Sequence, residues 1–487
     1  QRQMCIRDRF LPLLLAGWYF LNWKKKFQLA QGYLIGMSLW FYAYANLQYL
    51  WLLLFSCLIG WLLSCVPEKI SSEKGKKVLT GVGCVFHLGL LGYFKYSNFF
   101  LENLNTVFHT DFPMLQILLP VGISFYTFQQ LAYLIDRCRG DAPRDSFFDY
   151  LTFMVYFPQL LQGPILLRSE FMGQLKEPER RRFHAERFSE GIQFFVFGLA
   201  KKVLLADTLA KAVNYGYSNV SMLDSISALL LAVGYLTELY FDFSGYCDMA
   251  VGLGKMIGLE VAENFDAPFH SASVKEFWRR WHMTLGRFFT RYVYIPLGGN
   301  RRGKMRTLCN VMIVMLLSGL WHGAAWTFVL WGFLHGVGMI WDNLEHPHLP
   351  KKWMRQAATF AYVCMTFVFF RAESIAQGID VLKSIVSLKW NGFVFQMASA
   401  LDMTECYIIT KALSMKLPGL LSWFWLGIFV VLIAICFRVL SGEKVSGVVA
   451  LQRQKGYGRL YPVLLAVLFT WSMISMTGVS EYLYFSF

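Results

Sequence analysis

Long apolar runs, cut by short polar and basic stretches, recur from one end of this chain to the other. They fall at about 10–23, 29–45, 47–66, 78–94, 114–135, 150–166, 190–206, 226–247, 308–320, 324–341, 357–370, 419–437 and 458–476. Runs of this length predict helices that enter a bilayer, whose core takes about 20 apolar residues to cross. That gives roughly 11–13 membrane-embedded segments, some of them re-entrant. The sequence has no alternating strands of about ten residues, which argues against an outer-membrane barrel. The expected fold class is all-α, a polytopic integral membrane protein.

Breaks inside the runs carry information. Pro120-Val121-Gly122 and Pro158 with Gly163-Pro164 mark hinges, tolerated in a membrane where neighbours re-satisfy the freed backbone groups. From Leu308 to Trp341 the apolar character runs on for about 34 residues, roughly 51 Å of helix against a hydrocarbon core of about 30 Å. The segment must turn, and Ser318-Gly319 and Gly323-Ala324-Ala325 supply the small residues. His322 sits at that turn. An ionisable group there is expensive in lipid and should face the protein interior or a wetted cavity. His322 is therefore the leading candidate for chemistry, with polar glue between helices as the other reading. His335, further along an apolar helix, reads as a packing residue.

Composition agrees with the pattern. The 487 residues are 56% hydrophobic and 17% aromatic, and 16% are charged, against about 25% charged in a soluble domain. The net charge of +15 raises nucleic acid as a partner. The basic residues lie between the apolar runs, however, so the positive-inside bias of membrane loops accounts for them, and lipid is the expected partner. Candidate loops are Lys24–Lys26, Lys74–Lys77, Arg180–Arg187, Lys201-Lys202, Arg279–Arg306, Lys351–Arg355 and Arg438–Arg453. The cysteines are scattered, mostly in apolar segments, without CxxC or metal-ligand spacing, so buried thiols are expected and no metal. Residues 376–418, weakly apolar and carrying Asp402 and Glu405, read as a loop excursion. Residues 1–9 (QRQMCIRDR) do not resemble a signal peptide and read as a non-native start. That leaves 10–487 as one membrane domain with no internal repeat.

The stretch Ser271–Arg306 is the most unusual one between spans. Ser273 and Glu276 fit a capping box that opens a helix at about Val274. Phe277, Trp278, Trp281, Leu285, Phe288, Phe289 and Tyr292 would form its apolar face. Lys275, Arg279, Arg280, Arg287 and Arg291 make it basic, as an interfacial anchor is, and as a landing surface for an anionic donor would be. His282 lies near the apolar face, either as a satisfied hydrogen-bonding residue or as a catalytic one. Gly298-Gly299-Asn300-Arg301-Arg302 is a basic turn with a weak phosphate signature. Asp242 and Asp248 fall at membrane depth, where neither can stand unpaired. They are expected to pair with the arginines of the basic helix, or to serve as a proton relay.

At these residues the chain resembles the membrane-bound O-acyltransferase family, in its bacterial alginate O-acetyltransferase-like branch and more distantly its teichoic acid D-alanyl transfer branch. The motifs are long: GISFYTFQQLAYLIDRCRG from Gly122, FPQLLQGPI from Phe157, GLAKKVLLAD from Gly198, and YFDFSGYCDMAVGLGKMIGLEVAENFDAPF from Tyr240. They continue as EFWRRWHMTLGRFF from Glu276, YIPLGGNRRGK from Tyr294, GLWHGAAWTFVLWGFLHG from Gly319 and FRAES from Phe370. The likeness runs from about Phe10 to the closing EYLYFSF from Glu481.

The resemblance implies a ring of tilted helices around a thin central tunnel. It also implies that His322, in the WHG motif, is the catalytic base, and that His282, in FWRRWH, is a second active-site residue. A cytoplasmic thioester, acetyl-CoA or an acyl carrier, would be the donor substrate, with no bound cofactor. The acceptor would be an exported or cell-surface polysaccharide, reached through a periplasmic or extracellular acetyltransferase partner, and the location the bacterial cytoplasmic membrane. Three departures bear on donor and acceptor: Thr290-Arg291 for the family's Arg-Asp, Asp266-Ala267-Pro268 for Asn-Arg-Pro, and Ala325 for Asn. D-alanyl transfer to teichoic acid remains an alternative, as does, in another class, a transporter or flippase of lipid-linked sugar. Transporters commonly carry internal repeats, and this sequence has none evident.

Overall fold

The structure, a computed structural model, describes residues 2–344, 350–440, 444–456, 458 and 460–478. The closing motif from Glu481 lies outside them. Among the described residues every regular element is helical. Five helices are long and apolar enough to cross a bilayer: Leu47–Lys69, Glu73–Phe108, Ser225–Ile257, Lys304–His322 and Pro418–Phe437. Phe10–Trp23, Trp326–Trp341 and Leu460–Ile474 are apolar but shorter. The protein is an all-α polytopic membrane protein. The runs at 29–45 and 357–370 lie in the uninterrupted but less apolar helices Phe27–Asn46 and Lys352–Arg371, and the interruptions in other runs have local causes.

The chain folds into two compact units, each assembled from separated stretches. The first comprises Gln1–Phe195, Ala250–Glu263 and Arg287–Val293. Within it the apolar run at 150–166 is not one helix. Phe147–Met154 stops at Val155, and the four-residue helix Phe157–Leu160 restarts with Pro158 in its first turn. Proline has no N–H to donate, and in the first turn none is needed. The chain from Phe157 to Leu167 is nevertheless buried throughout. The run at 114–135 likewise becomes helical only at Ile123, after Pro120 and a left-handed Gly122. The distant stretch 250–263 is fastened into this unit by side-chain donors, Trp18, Tyr19, Tyr156 and Gln174. Trp18 Nε1–H reaches the Ile257 carbonyl (3.0 Å), and the Tyr156 hydroxyl reaches that of Leu259 (2.8 Å).

The second unit comprises Val196–Met249, Asn264–Gly286 and Tyr294–Phe487. The long apolar run from Leu308 does turn where expected. Helix Lys304–His322 ends at the histidine, Gly323 is extended, and Trp326–Trp341 begins after Ala325. Nineteen residues at about 1.5 Å each make roughly 28 Å, close to the hydrocarbon thickness. The two helices pack closely because glycine faces backbone. A Cβ on Gly319 would lie 2.3 Å from the Phe328 carbonyl oxygen, and one on Gly332 2.4 Å from that of Met315. Small residues at such a crossing are how membrane helices gain packing without a hydrophobic drive.

Two expectations are corrected in this unit. Residues 376–418 are not a loop excursion. They form helices Ile375–Val386, Phe393–Ser399 and Tyr407–Lys416, with Val381, Phe393, Val394 and Met397 in the core. Asp224 holds the connection between the first two by accepting the backbone N–H groups of Asn391 (3.2 Å) and Gly392 (3.1 Å). Nor is Lys201-Lys202 a loop. It opens a π-helical turn, Lys201–Ala206, with Lys202 buried. Alternation of apolar and polar positions could not separate a weakly apolar packed helix from a loop, because both carry a mixed composition.

Gly332→Val should force the helix pair at Gly319 and Gly332 apart and cost about 1–3 kcal/mol by overpacking. Thermal unfolding in detergent should show a lowered midpoint. A midpoint equal to that of the parent would mean that the helices do not approach this closely.

Candidate active site

The two candidate histidines converge within the second unit, at the break in the basic segment. Helix Val274–Arg280 opens with the capping Ser273, whose hydroxyl accepts the Glu276 N–H (3.1 Å). The return bond of the expected box is displaced by one residue, since the Glu276 carboxylate takes the N–H of Ala272 (2.8 Å). The helix does not run on to Tyr292 as the pattern suggested. It stops at Arg280, and a second helix, Met283–Phe289, starts three residues later. Between them His282 adopts a left-handed backbone, φ +46°. That conformation is sterically unfavourable for a residue with a Cβ, and persists only where the surroundings dictate it.

Those surroundings are identifiable. Asn264 Oδ1 lies 3.1 Å from Thr284 N, 3.0 Å from Thr284 Oγ1 and 3.2 Å from His282 Nδ1. The Asn264 amide N–H points to Cys247 Sγ (3.4 Å) on helix Ser225–Ile257. Met283 N–H also donates to the Asn264 carbonyl (2.9 Å). The His282 ring stands edge-on to Phe243, with centroids 4.8 Å apart. Burial pushes its pKa down to about 3, so the imidazole is neutral at physiological pH.

His322 is the last residue of its helix and is 3% exposed. Aromatic rings enclose it: Trp321 at 4.9 Å, Trp331 at 5.2 Å and Phe370 at 5.2 Å between centroids. The His282 ring is 6.5 Å away. The structure thus brings the two histidines, 40 positions apart in sequence, into one aromatic enclosure. His335 is different. Its Nδ1 accepts the Trp278 indole N–H (3.2 Å), and Nε2 meets Thr366 Oγ1 (3.0 Å), whose own proton goes to the Val363 carbonyl (2.8 Å). Both ring nitrogens are engaged, as a packing role requires.

The acidic pair is placed otherwise than expected. Asp242 meets Lys202 (2.6 Å) and Asp248 meets Lys201 (2.6 Å), so a lysine pair supplies the cations expected of the arginines. Lys202 also meets Asp207 (2.8 Å).

The members of the basic set have different partners. Arg280 is held by Glu276 (2.9 Å) and the Asp266 carbonyl (3.3 Å). Arg287 forks onto Glu170 and the Ile165 carbonyl, and Arg291 bridges Asp136 (3.0 Å) and Asp141 (3.2 Å). These last two belong to the first unit. Lys275 donates to the neutral Asn343 side chain (2.9 Å), and Arg279 is exposed.

Sequence reasoning missed Asn264, which appeared only within the motif from Tyr240. The signal was weak, an amide residue 18 positions before a histidine and lying among Glu260, Glu263 and Asp266. It missed Trp331 and Phe370 for the opposite reason, since aromatic residues are abundant here and single out nothing.

Comparison with known proteins adds an independent line. Residues 139–378 match the profile of the membrane-bound O-acyltransferase family. The chain is 35% identical over 412 residues to a peptidoglycan O-acetyltransferase of Helicobacter pylori, covering 78% of each. It is 38% identical over 384 residues to the probable alginate O-acetylase AlgI of Pseudomonas aeruginosa, covering 75% of this chain and 71% of that one. A teichoic acid D-alanyltransferase of Bacillus subtilis is 28% identical over 271 residues, 52% of this chain and 69% of that one.

Lys202→Met would leave Asp207 and Asp242 buried without their shared cation, a change that costs about 3–5 kcal/mol. Folded yield and thermal midpoint in detergent should both fall, and Lys202→Arg should lose less. Unchanged stability in the methionine variant would mean that these carboxylates are uncharged.

Proposed function

The chain belongs to the membrane-bound O-acyltransferase family and is an acyltransferase, and from that premise we propose that it moves acetyl groups for O-acetylation of an exported or cell-surface polysaccharide. Family membership removes the transporter reading. The observation that carries the proposal is the pairing of His322 with His282 inside one buried aromatic enclosure. The acetyltransferase relatives support the choice of acyl group.

In this reading His322 is the catalytic base. Its neutral imidazole takes the proton of a hydroxyl, on the acceptor or on a partner's serine, as that oxygen attacks the acyl carbon of a thioester. The carbon–oxygen bond forms, the carbon–sulfur bond breaks, and the proton passes to the departing sulfur. The donor is acetyl-CoA or an acyl carrier thioester on the cytoplasmic side of a bacterial inner membrane. A periplasmic or extracellular acetyltransferase completes the transfer. Surrounding indole and phenyl rings exclude water that would hydrolyse the thioester. Lys275, held by a neutral amide, and the exposed Arg279 are the members of the basic set best placed to attract an anionic donor.

Cells producing the His322→Ala variant at parental abundance should lose nearly all cell-surface ester-linked acetate attributable to this protein. Equal acetate in variant and parent would defeat the assignment. Loss of D-alanyl ester in place of acetate would move the reading to the D-alanyl branch. The double variant Lys275→Glu, Arg279→Glu should lower the acetylation rate by roughly tenfold, about 1.4 kcal/mol, without lowering the thermal midpoint. An unchanged rate would exclude these two residues from donor capture.

A further inference from the structure

We propose that Asn264 is a positioning residue that locks His282 in the tautomer with its proton on Nδ1, so that Nε2 is the acceptor nitrogen His282 offers to the site. One donor at this site cannot change its nature. The backbone N–H of Thr284 points at Asn264 Oδ1 (3.1 Å), so that atom is the amide oxygen and not the nitrogen. The amide nitrogen then faces Cys247 Sγ (3.4 Å), a weak acceptor. His282 Nδ1 lies 3.2 Å from the same oxygen. An oxygen that only accepts requires a donor there, so Nδ1 carries the proton and the lone pair resides on Nε2, across the ring.

The backbone reinforces the assignment. Asn264 accepts from Met283 and Thr284, the two residues after His282, and so fixes the chain on which the left-handed histidine sits. A substitution at Asn264 therefore acts on the ring through both its hydrogen bond and its backbone. Among the described contacts, the ring meets Phe243, Trp321 and the His322 imidazole, and it shares Asn264 with Thr284 and the Cys247 thiol. None of these neighbours is a carboxylate. Asn264 is thus a neutral counterpart of the carboxylate that commonly orients a catalytic histidine: it selects the tautomer without adding charge.

This rests on the reading of His322 as the base. When His322 takes the hydroxyl proton, the resulting imidazolium is an N–H donor, and Nε2 of His282 is an acceptor nearby. At 6.5 Å between ring centres the two imidazoles are too far apart for a direct bond, so linking them takes a second hydroxyl that accepts from His322 and donates to Nε2 of His282. The proton then leaves with the thiolate sulfur.

The test combines a spectroscopic and a kinetic readout on the full chain. Nitrogen–proton correlation NMR of histidine-labelled protein in detergent, with His282 assigned by loss of its signals in His282→Gln, should show the Nδ1–H form. Asn264→Leu should abolish that fixed tautomer while the protein keeps a cooperative thermal transition. An Nε2–H form in the parent would overturn the proposal. In cells, Asn264→Leu should slow surface acetylation by roughly 10–100-fold. The same change in a His282→Gln background should add almost nothing, because its effect runs through that ring. Asn264→Asp, which retains the acceptor oxygen, should restore much of the rate and raise the pH below which acetylation is lost, since a carboxylate stabilises the imidazolium. Additive losses, or an aspartate variant no better than leucine, would overturn the inference. Full acetylation by His322→Ala would instead remove the reading beneath it, leaving the tautomer assignment to stand on its spectrum.

Discussion

Inside a lipid-embedded protein a polar group has no water to turn to, and much of this structure answers that constraint. Helix Ser225–Ile257 carries Asp242 and Asp248 through the second unit, and both meet lysines from one adjacent pair. The desolvation cost of such charges is several kcal/mol each and is offset only when partners are close and well oriented. Lys202 satisfies two carboxylates at once, which ties the start of helix Asp207–Ser218 to the middle of helix Ser225–Ile257. Phe243 and Cys247 lie on that same long helix, beside His282 and Asn264. The ion pairs thus fix the rotation of the element against which the histidine stands.

The enclosure around His322 shows the same economy. The helix ends at the histidine, so its last backbone carbonyls and the imidazole occur together at the turn. Glycine at Gly319 and Gly332 lets the returning helix come close, and that brings Trp331 over the ring. Close packing positions one histidine, whereas hydrogen bonding to Asn264 positions the other.

Much of this was legible in the sequence, and the reasons differ by residue. The turn after His322 came from arithmetic, because a helix of that length cannot fit the bilayer. The class of fold came from the spacing of apolar runs. What periodicity could not show was continuity. The basic segment has an apolar face from Phe277 to Tyr292 that persists across a backbone break, since helical phase resumes after His282. The partners of Arg287 and Arg291 were equally hidden, because Glu170 and Asp136 are more than 100 positions away. Asp242 and Asp248 were recognised as needing cations, but nearness in composition favoured the arginines over two lysines in an apparent loop.

The π-helical turn Lys201–Ala206 has a consequence for how this protein can vary. A turn with one residue more than an α-helix shifts the angular phase of the upstream helix against the downstream one. Two neighbouring lysines thereby serve carboxylates six positions apart on another helix, a geometry tied to that extra residue. Loss of a single codon here would close the turn to an ordinary α-turn and displace the residues within it, taking a lysine away from its acid. Lineages can therefore exchange side chains in this stretch more readily than they can change its length.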